Sequence, residues 1–105
     1  MSRSVNLGPI ACIADGRGRE FVVDKRRVAV FRTRRGGVYA TQARCPHKNG
    51  PLADGLIGER AVMCPLHGHK FDLAFGEPLG HACGNLETYP VDIDESGDIK
   101  LLVED

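Results

Sequence analysis

The sequence predicts an all-β chain, an antiparallel β-barrel or sandwich into which a subdomain of long loops is set. Three observations carry that expectation. Breakers are dense: 13 glycines and six prolines among 105 residues leave few windows of helical length. Between them lie short apolar runs, many rich in Val, Ile, Phe and Tyr, which favour a pleated, half-buried surface. Turn-forming clusters separate these runs at the spacing of successive hairpins, not of alternating helices and strands.

Taken in order, Ile10 to Ala14 precedes Asp15-Gly16 and reads as a first strand. Phe21-Val22-Val23 stops at Asp24-Lys25-Arg26, and Val28-Ala29-Val30-Phe31 stops at Arg34-Arg35-Gly36-Gly37. Val38 to Ala43 leads into Cys45-Pro46. Near the end, Leu86 to Ile93 and Ile99 to Val103 flank Asp94-Glu95-Ser96-Gly97-Asp98, a hairpin connection by composition. No repeat, low-complexity tract or linker interrupts the series, so residues 1–105 are expected to form one domain. The stretch from about 44 to 80 stands apart. Cys, His, Pro and Gly crowd out the strand pattern there, and long irregular connections in a small barrel usually carry function.

Composition excludes several classes. A hydrophobic fraction of 42% with 27% charged residues is that of a globular chain, not a disordered one. No apolar stretch reaches the ~18 residues of a membrane span, and Met1 to Leu7 holds Arg3 but no apolar core of a secretory signal. A cytoplasmic location is the expectation. Fourteen basic residues balance fourteen acidic ones, which argues against nucleic acid as a partner. That balance hides a split: residues 1–48 hold eleven basic and three acidic residues, and 49–105 hold the reverse. Lys25-Arg26-Arg27 and Arg32-Thr33-Arg34-Arg35 fall at expected hairpin turns with few aromatics among them, as solvated turns do.

Two motifs carry chemistry: Cys45-Pro46-His47 and Cys64-Pro65-Leu66-His67. Each offers one thiolate and one imidazole, and Pro46 and Pro65 stiffen the backbone between donors. The pair suits a binuclear iron–sulfur centre, with one thiolate from each loop on one iron and one imidazole from each on the other. Two neutral imidazoles in place of thiolates make the cluster less negative, which raises its reduction potential. A structural zinc site competes, because two Cys and two His also make a tetrahedral shell. Common zinc modules, though, set like ligands side by side, and each loop here is mixed. Four unrelated residues, with the cysteines open to disulfide pairing, are the bland alternative.

Cys45-Pro46-His47-Lys48-Asn49-Gly50-Pro51-Leu52, together with Cys64-Pro65-Leu66-His67-Gly68-His69-Lys70-Phe71-Asp72, resembles the Rieske [2Fe–2S] box. The similarity extends from about Val28 to Ile99. It implies a Rieske-type fold in which Cys45 and Cys64 bind the inner iron and His47 and His67 bind the outer iron through Nδ1. It also implies a third covering loop, here Gly76 to Gly80. High-potential members carry an extra cysteine in each loop; the matching positions here are Gly50 and Leu66. His69 and Phe71 stand where those members place a serine and a tyrosine hydroxyl. Fewer donors to the cluster imply a potential at the low end of the Rieske range, roughly −150 mV.

The resemblance further implies a one-electron relay that docks on a larger redox protein. The continuation Gly50-Pro51-Leu52-Ala53-Asp54-Gly55-Leu56 and the run Phe71-Asp72-Leu73 look most like the small subunit of assimilatory NAD(P)H-dependent nitrite reductase. That reading makes the nitrite reductase large subunit the partner and leaves no catalytic residue on this chain. The Rieske ferredoxin of a ring-hydroxylating dioxygenase, serving a reductase and an oxygenase, is the alternative. A structural zinc module is the remote one. Cys12 and Cys83 lie outside the motif and read as buried thiols in a reducing compartment. His69 and His81 read as bystanders, and Leu52 and Leu66 as side chains that keep water from the cluster.

Overall fold

The structure, a computed structural model, describes residues 2–46, 50–66, 68–80 and 84–104. The strands are β1 (Ser2–Pro9), β2 (Arg17–Val23), β3 (Arg26–Arg32), β4 (Val38–Gln42), β5 (Leu56–Ile57), β6 (Ala61–Met63), β7 (Lys70–Asp72), β8 (Pro78–Leu79), β9 (Thr88–Tyr89), β10 (Val91–Ile93) and β11 (Asp98–Glu104). They form three antiparallel sheets, ordered β1-β11-β10, β2-β3-β4-β9 and β5-β6-β7-β8. Two 3₁₀ turns, Ile10–Cys12 and Leu52–Asp54, are the helical pieces among the described residues. None is long or apolar enough to cross a membrane.

Strand β3 explains how the parts are held. Val28, Ala29, Val30 and Phe31 are all fully buried, so the strand is covered on both faces. Its alternation sends Val28 and Val30 into a core with Ile13, Ala40, Ile99 and Leu101. Ala29 and Phe31 face the other way, into a second core with Cys45, Leu52, Cys64 and Phe71. One strand is therefore the shared wall between a barrel base and the end that carries both motif cysteines.

Two expected strands are redrawn. Ile10 to Ala14 is not a first strand: Ile10–Cys12 is a 3₁₀ turn after Pro9, and the first strand is the preceding Ser2–Pro9. Strand β1 pairs with β11, and Val5 and Leu7 pack on the base core. Leu86 to Ile93 is not one strand either. Pro90 has no N–H to give a ladder, and the chain divides there into β9, which joins β4, and β10, which joins β11.

The β2–β3 hairpin turns at Asp24-Lys25, as expected from its charge run, with Val23 paired to Arg26. Both central residues have positive φ, 50° and 69°, the pattern of a type I′ turn that favours glycine at its second position. A Lys25→Gly variant should gain about 0.5–1 kcal/mol, since relief of left-handed strain exceeds the added freedom of the unfolded chain. Urea unfolding would measure it as a raised midpoint.

The β10–β11 turn is tied by Asp94. Its Oδ1 accepts N–H bonds from Asp98 and Ser96, each at 2.9 Å, and Lys100 Nζ lies 3.7 Å from Oδ2. The Asp98 N–H above all holds the carboxyl below its ordinary value, opposed by desolvation and helped by the Ser96 N–H and Lys100. A depressed folded value adds stability that is present above the unfolded pKa of about 3.9 and is lost as pH falls below it. The melting-temperature gap between wild type and Asp94→Asn should therefore narrow between pH 5 and pH 2.

Candidate iron–sulfur site

The first motif loop leaves β4 and returns beside it. Arg44 bridges Pro51, the Cys45 N–H donates to the Gly50 carbonyl at 2.8 Å, and the Leu52 N–H donates to the Ala43 carbonyl at 3.0 Å. The second loop joins β6 to β7, with Met63 paired to Lys70 at its base. There the Cys64 N–H donates to the His69 carbonyl at 2.7 Å, and the Gly68 N–H donates to the Cys64 carbonyl at 3.0 Å. The two loops are thus built alike: each starts on a cysteine whose N–H is tied to the carbonyl five residues on. Each motif histidine falls in sequence inside the loop so closed.

Cys45 and Cys64 are 0% and 1% exposed and share one apolar core with Leu52, Phe71 and Leu86. The loops touch through Gly50. A Cβ placed there would stand 2.5 Å from Cys64 Sγ and 3.1 Å from Leu66 Cγ. The positions that carry the extra cysteines of high-potential Rieske proteins are therefore neighbours here, filled by hydrogen and by a leucine side chain. His47 and His67 lie outside the described residues, as do His81 and Cys83. Among the described residues of the motifs, the structure brings the two thiols to the bases of adjoining loops. This donor set fits a cluster with one thiolate from each loop. Cys12 is half-buried beside the base core, apart from the site, and His69 is half-buried in the second loop.

Supports for this arrangement lie outside the motifs. Gly18 lets the Leu52–Asp54 turn settle on β2 and β3, since a Cβ there would stand 2.7 Å from the Phe31 ring and 3.2 Å from Ala53 Cα. Gly55 admits the Met63 carbonyl. Gln42 donates to the Arg44 carbonyl at 2.7 Å and accepts the Glu87 N–H at 2.8 Å, which joins the first loop to the chain ahead of β9. Asp72, nearly buried, accepts Arg60 Nε at 2.9 Å and the Phe75 N–H at 2.8 Å. Its carboxylate raises the Arg60 guanidinium above its ordinary value. Glycine carries no sequence signal for such close approaches, and Gln42 and Asp72 look like ordinary strand polar residues. Of these, Gly55 and Asp72 lie in stretches that the sequence singles out.

Leu52 and Leu66 divide the shielding expected of them. Leu52 is fully buried in the cysteine core, and Leu66 is 51% exposed over Gly50. The expected covering loop is partly strand, because Pro78–Leu79 pairs with β7 as the edge of the third sheet. Behind it the Gly76 carbonyl accepts the Leu86 N–H at 2.7 Å. Several ion pairs among the described residues lie within one half of the chain: Arg3 with Asp24, Arg27 and Arg44 with Glu20, Arg32 with Asp15, Arg60 with Asp72, and Lys100 with Asp94. Arg35 with Glu59, at 2.9 Å, crosses between halves.

Comparison with known proteins adds relatives to this geometry. The family model of a Rieske-like [2Fe-2S] domain matches residues 5–101. The 3-phenylpropionate/cinnamic acid dioxygenase ferredoxin subunit of Shigella flexneri is 36% identical over 93 residues, covering 87% of this chain and 85% of that protein. The NAD(P)H nitrite reductase of Emericella nidulans is 40% identical over 81 residues, covering 68% of this chain and 7% of that protein. Among solved structures, a Mycobacterium tuberculosis protein assigned as an NADH-dependent nitrite reductase small subunit superposes with a TM-score of 0.91 at 22% identity. It covers 100% of this chain and 98% of its own, a likeness of fold. A family match across nearly the whole length, on a fold that sets two cysteines at the bases of adjoining loops, makes this chain a member of the Rieske-like [2Fe–2S] domain family.

Proposed function

We propose that this chain is the electron-transferring small subunit of an assimilatory NAD(P)H-dependent nitrite reductase, and that it holds its [2Fe–2S] cluster through Cys45, His47, Cys64 and His67. The observation that carries the ligand assignment is the pairing of buried Cys45 and Cys64 on two loops closed by the same hydrogen bond. When bound, the cluster accepts one electron and passes it on. The chain's own residues do the rest. Cys45 and Cys64 present sulfur from an apolar core, Leu52 and Phe71 exclude water behind them, and backbone bonds fix both loops. Substrate chemistry belongs to the larger partner, the nitrite reductase large subunit.

The 40% identity with a nitrite reductase and the likeness of fold along the whole chain support this partner. A second reading, the ferredoxin of a ring-hydroxylating dioxygenase, is favoured by one observation: that relative matches over most of both lengths. Cells containing the chain and either partner separate the two. The nitrite reductase reading expects NAD(P)H-dependent nitrite reduction to fall when this chain is deleted; aromatic oxidation lost in its place would select the ferredoxin.

The cluster itself is tested on the purified protein. A dithionite-reduced sample should give a rhombic EPR signal with average g below the free-electron value, at a potential of about −150 mV. Cys64→Ser should remove the signal and the bound iron. A colourless protein holding zinc, or a variant that keeps its iron, would overturn the assignment.

A further inference from the structure

One buried carboxylate close to the motif cysteines is not among the motif donors. The Asp72 side chain is 11% exposed, and a charge taken out of water needs partners that match it. Its Oδ1 accepts Arg60 Nε at 2.9 Å, and its Oδ2 accepts the Phe75 N–H at 2.8 Å. The Arg60 guanidinium also lies over the Phe75 ring, 5.7 Å from its centre, and the Leu73 N–H donates to the Arg60 carbonyl at 2.7 Å. Backbone and side chains together hold the pair in place. Its two members stand in different surroundings. The Arg60 side chain is 58% exposed, so water and salt weaken its field. The carboxylate sits on the protein side, where a charge is felt further.

Strand register brings that charge near the second motif. Asp72 pairs with Ala61, and Cys64 follows Ala61 by three residues. At about 3.3 Å per residue the two rows lie about 10 Å apart, roughly one Debye length at 0.1 M salt. The ground between them is dry. Phe71 and Leu73, on either side of Asp72 in sequence, are buried in the core that contains Cys45 and Cys64. Val62, opposite Phe71, belongs to the same core. A field that crosses packed side chains is screened far less than one that crosses solvent. Glu77 supplies the contrast: its carbonyl accepts the Asp72 N–H at 2.8 Å, yet the residue is exposed.

We propose that the Asp72–Arg60 pair tunes the reduction potential at the motif cysteines: the buried carboxylate opposes addition of the electron, and the guanidinium partly offsets it. The inference rests on the [2Fe–2S] reading above and adds two residues, outside the ligand set, that decide how readily this chain takes its electron. The sign follows from charge. A negative group near the site makes an added electron costlier and lowers the potential, and a positive group raises it. The carboxylate is the less screened of the two, so the pair acts on the site as a net negative charge. Asp72 and Arg60 touch no motif donor through the bonds described, and they work through the field they set up in the cysteine core.

The test is a redox titration of the whole cluster-loaded protein, followed by visible absorbance. Asp72→Asn should raise the ratio of reduced to oxidised protein at a fixed applied potential at least threefold, about +28 mV at 59 mV per tenfold. Arg60→Met, which keeps an apolar stem over Phe75, should lower that ratio at least twofold, about −18 mV on the same scale. Arg60→Lys keeps the charge and should restore the ratio to near wild type. Glu77→Gln, which removes an exposed carboxylate, should move it less than 1.5-fold. Iron per chain and EPR g values should match wild type in these variants. A pair that only braces the fold would shift both single variants the same way, or neither. Shifts of one sign, unchanged ratios, or a Glu77→Gln shift as large as that of Asp72→Asn would overturn the tuning while the cluster assignment stands. If Asp72→Asn fails to fold, the Arg60 variants decide: a fall with Met that Lys restores supports the tuning, and equal ratios overturn it. A wild type that carries no iron–sulfur cluster overturns the cluster reading, and this inference with it.

Discussion

Alanine at Gly50 is expected to cost the protein its cluster. The added methyl would stand 2.5 Å from Cys64 Sγ, well inside van der Waals contact, with Leu66 Cγ and Cδ1 at 3.1 and 3.2 Å on the other side. Leu66 is half exposed and can swing outward, so the leucine contact is cheap to relieve. The sulfur is different. In the metal-free chain it can rotate about the Cα–Cβ bond, and the variant should lose only about 1 kcal/mol, the low end of overpacking. With iron bound, a thiolate ligand is fixed in direction, and the collision must be relieved by moving the metal or the first loop. Iron per chain should fall, or the half-life of visible absorbance under chelator should shorten at least tenfold, while the apo form melts within a few degrees of wild type. Equal losses in the apo and loaded forms would mean that Gly50 serves only the fold.

Alanine at Gly76 should do the opposite, damaging the fold before the metal matters. Gly76 has φ of +76°, and a Cβ there would also run into the Leu86 carbonyl oxygen, whose own N–H bonds back to Gly76. Left-handed strain costs about 1–2 kcal/mol and backbone overpacking about as much again, so the total is about 3 kcal/mol. For a domain of this length that lowers the melting temperature by roughly 10–20 °C, a large share of a total stability of about 5–15 kcal/mol. Gly36 supplies the control. Its φ is +88°, but nothing lies within 4 Å of its Cβ position, so Gly36→Ala should cost only the strain, about 1 kcal/mol. Calorimetry on the two variants separates conformational strain from collision.

Much of the molecule was legible from local chemistry. The hairpins around Asp24-Lys25, Gly36 and Ser96-Gly97 announce themselves because turn residues interrupt branched and aromatic runs. The motif cysteines stand out in the sequence because thiol lies beside imidazole twice, and the structure sets both thiols in one buried core. What escaped depends on neighbours distant in sequence. Ser2 to Pro9 alternates well enough for a strand, yet its polar positions are ordinary, and only the pairing with β11 decides it. Pro90 splits one apolar run between two sheets, a choice made by the register of β4 and β11. Gly18, Gly50 and Gly55 look like loop punctuation until the atoms they admit are located: the Phe31 ring, Cys64 Sγ and the Met63 carbonyl. A glycine chosen for what approaches it leaves no trace in its own neighbourhood.

Strand β3 has a further consequence for how such a chain can change over generations. Its odd residues Ala29 and Phe31 answer to the ligand-bearing end, and its even residues Val28 and Val30 answer to the barrel. The two ends therefore constrain interleaved letters of one heptapeptide. A lineage can remodel the loops, adjusting only alternate positions of this strand, while the scaffold drifts at the others. The same interleaving bears on transplanting the ligand end: a graft onto another barrel needs this strand matched at two side chains, and must bring along the contacts of Gly18 and Gln42 on the strands beside it.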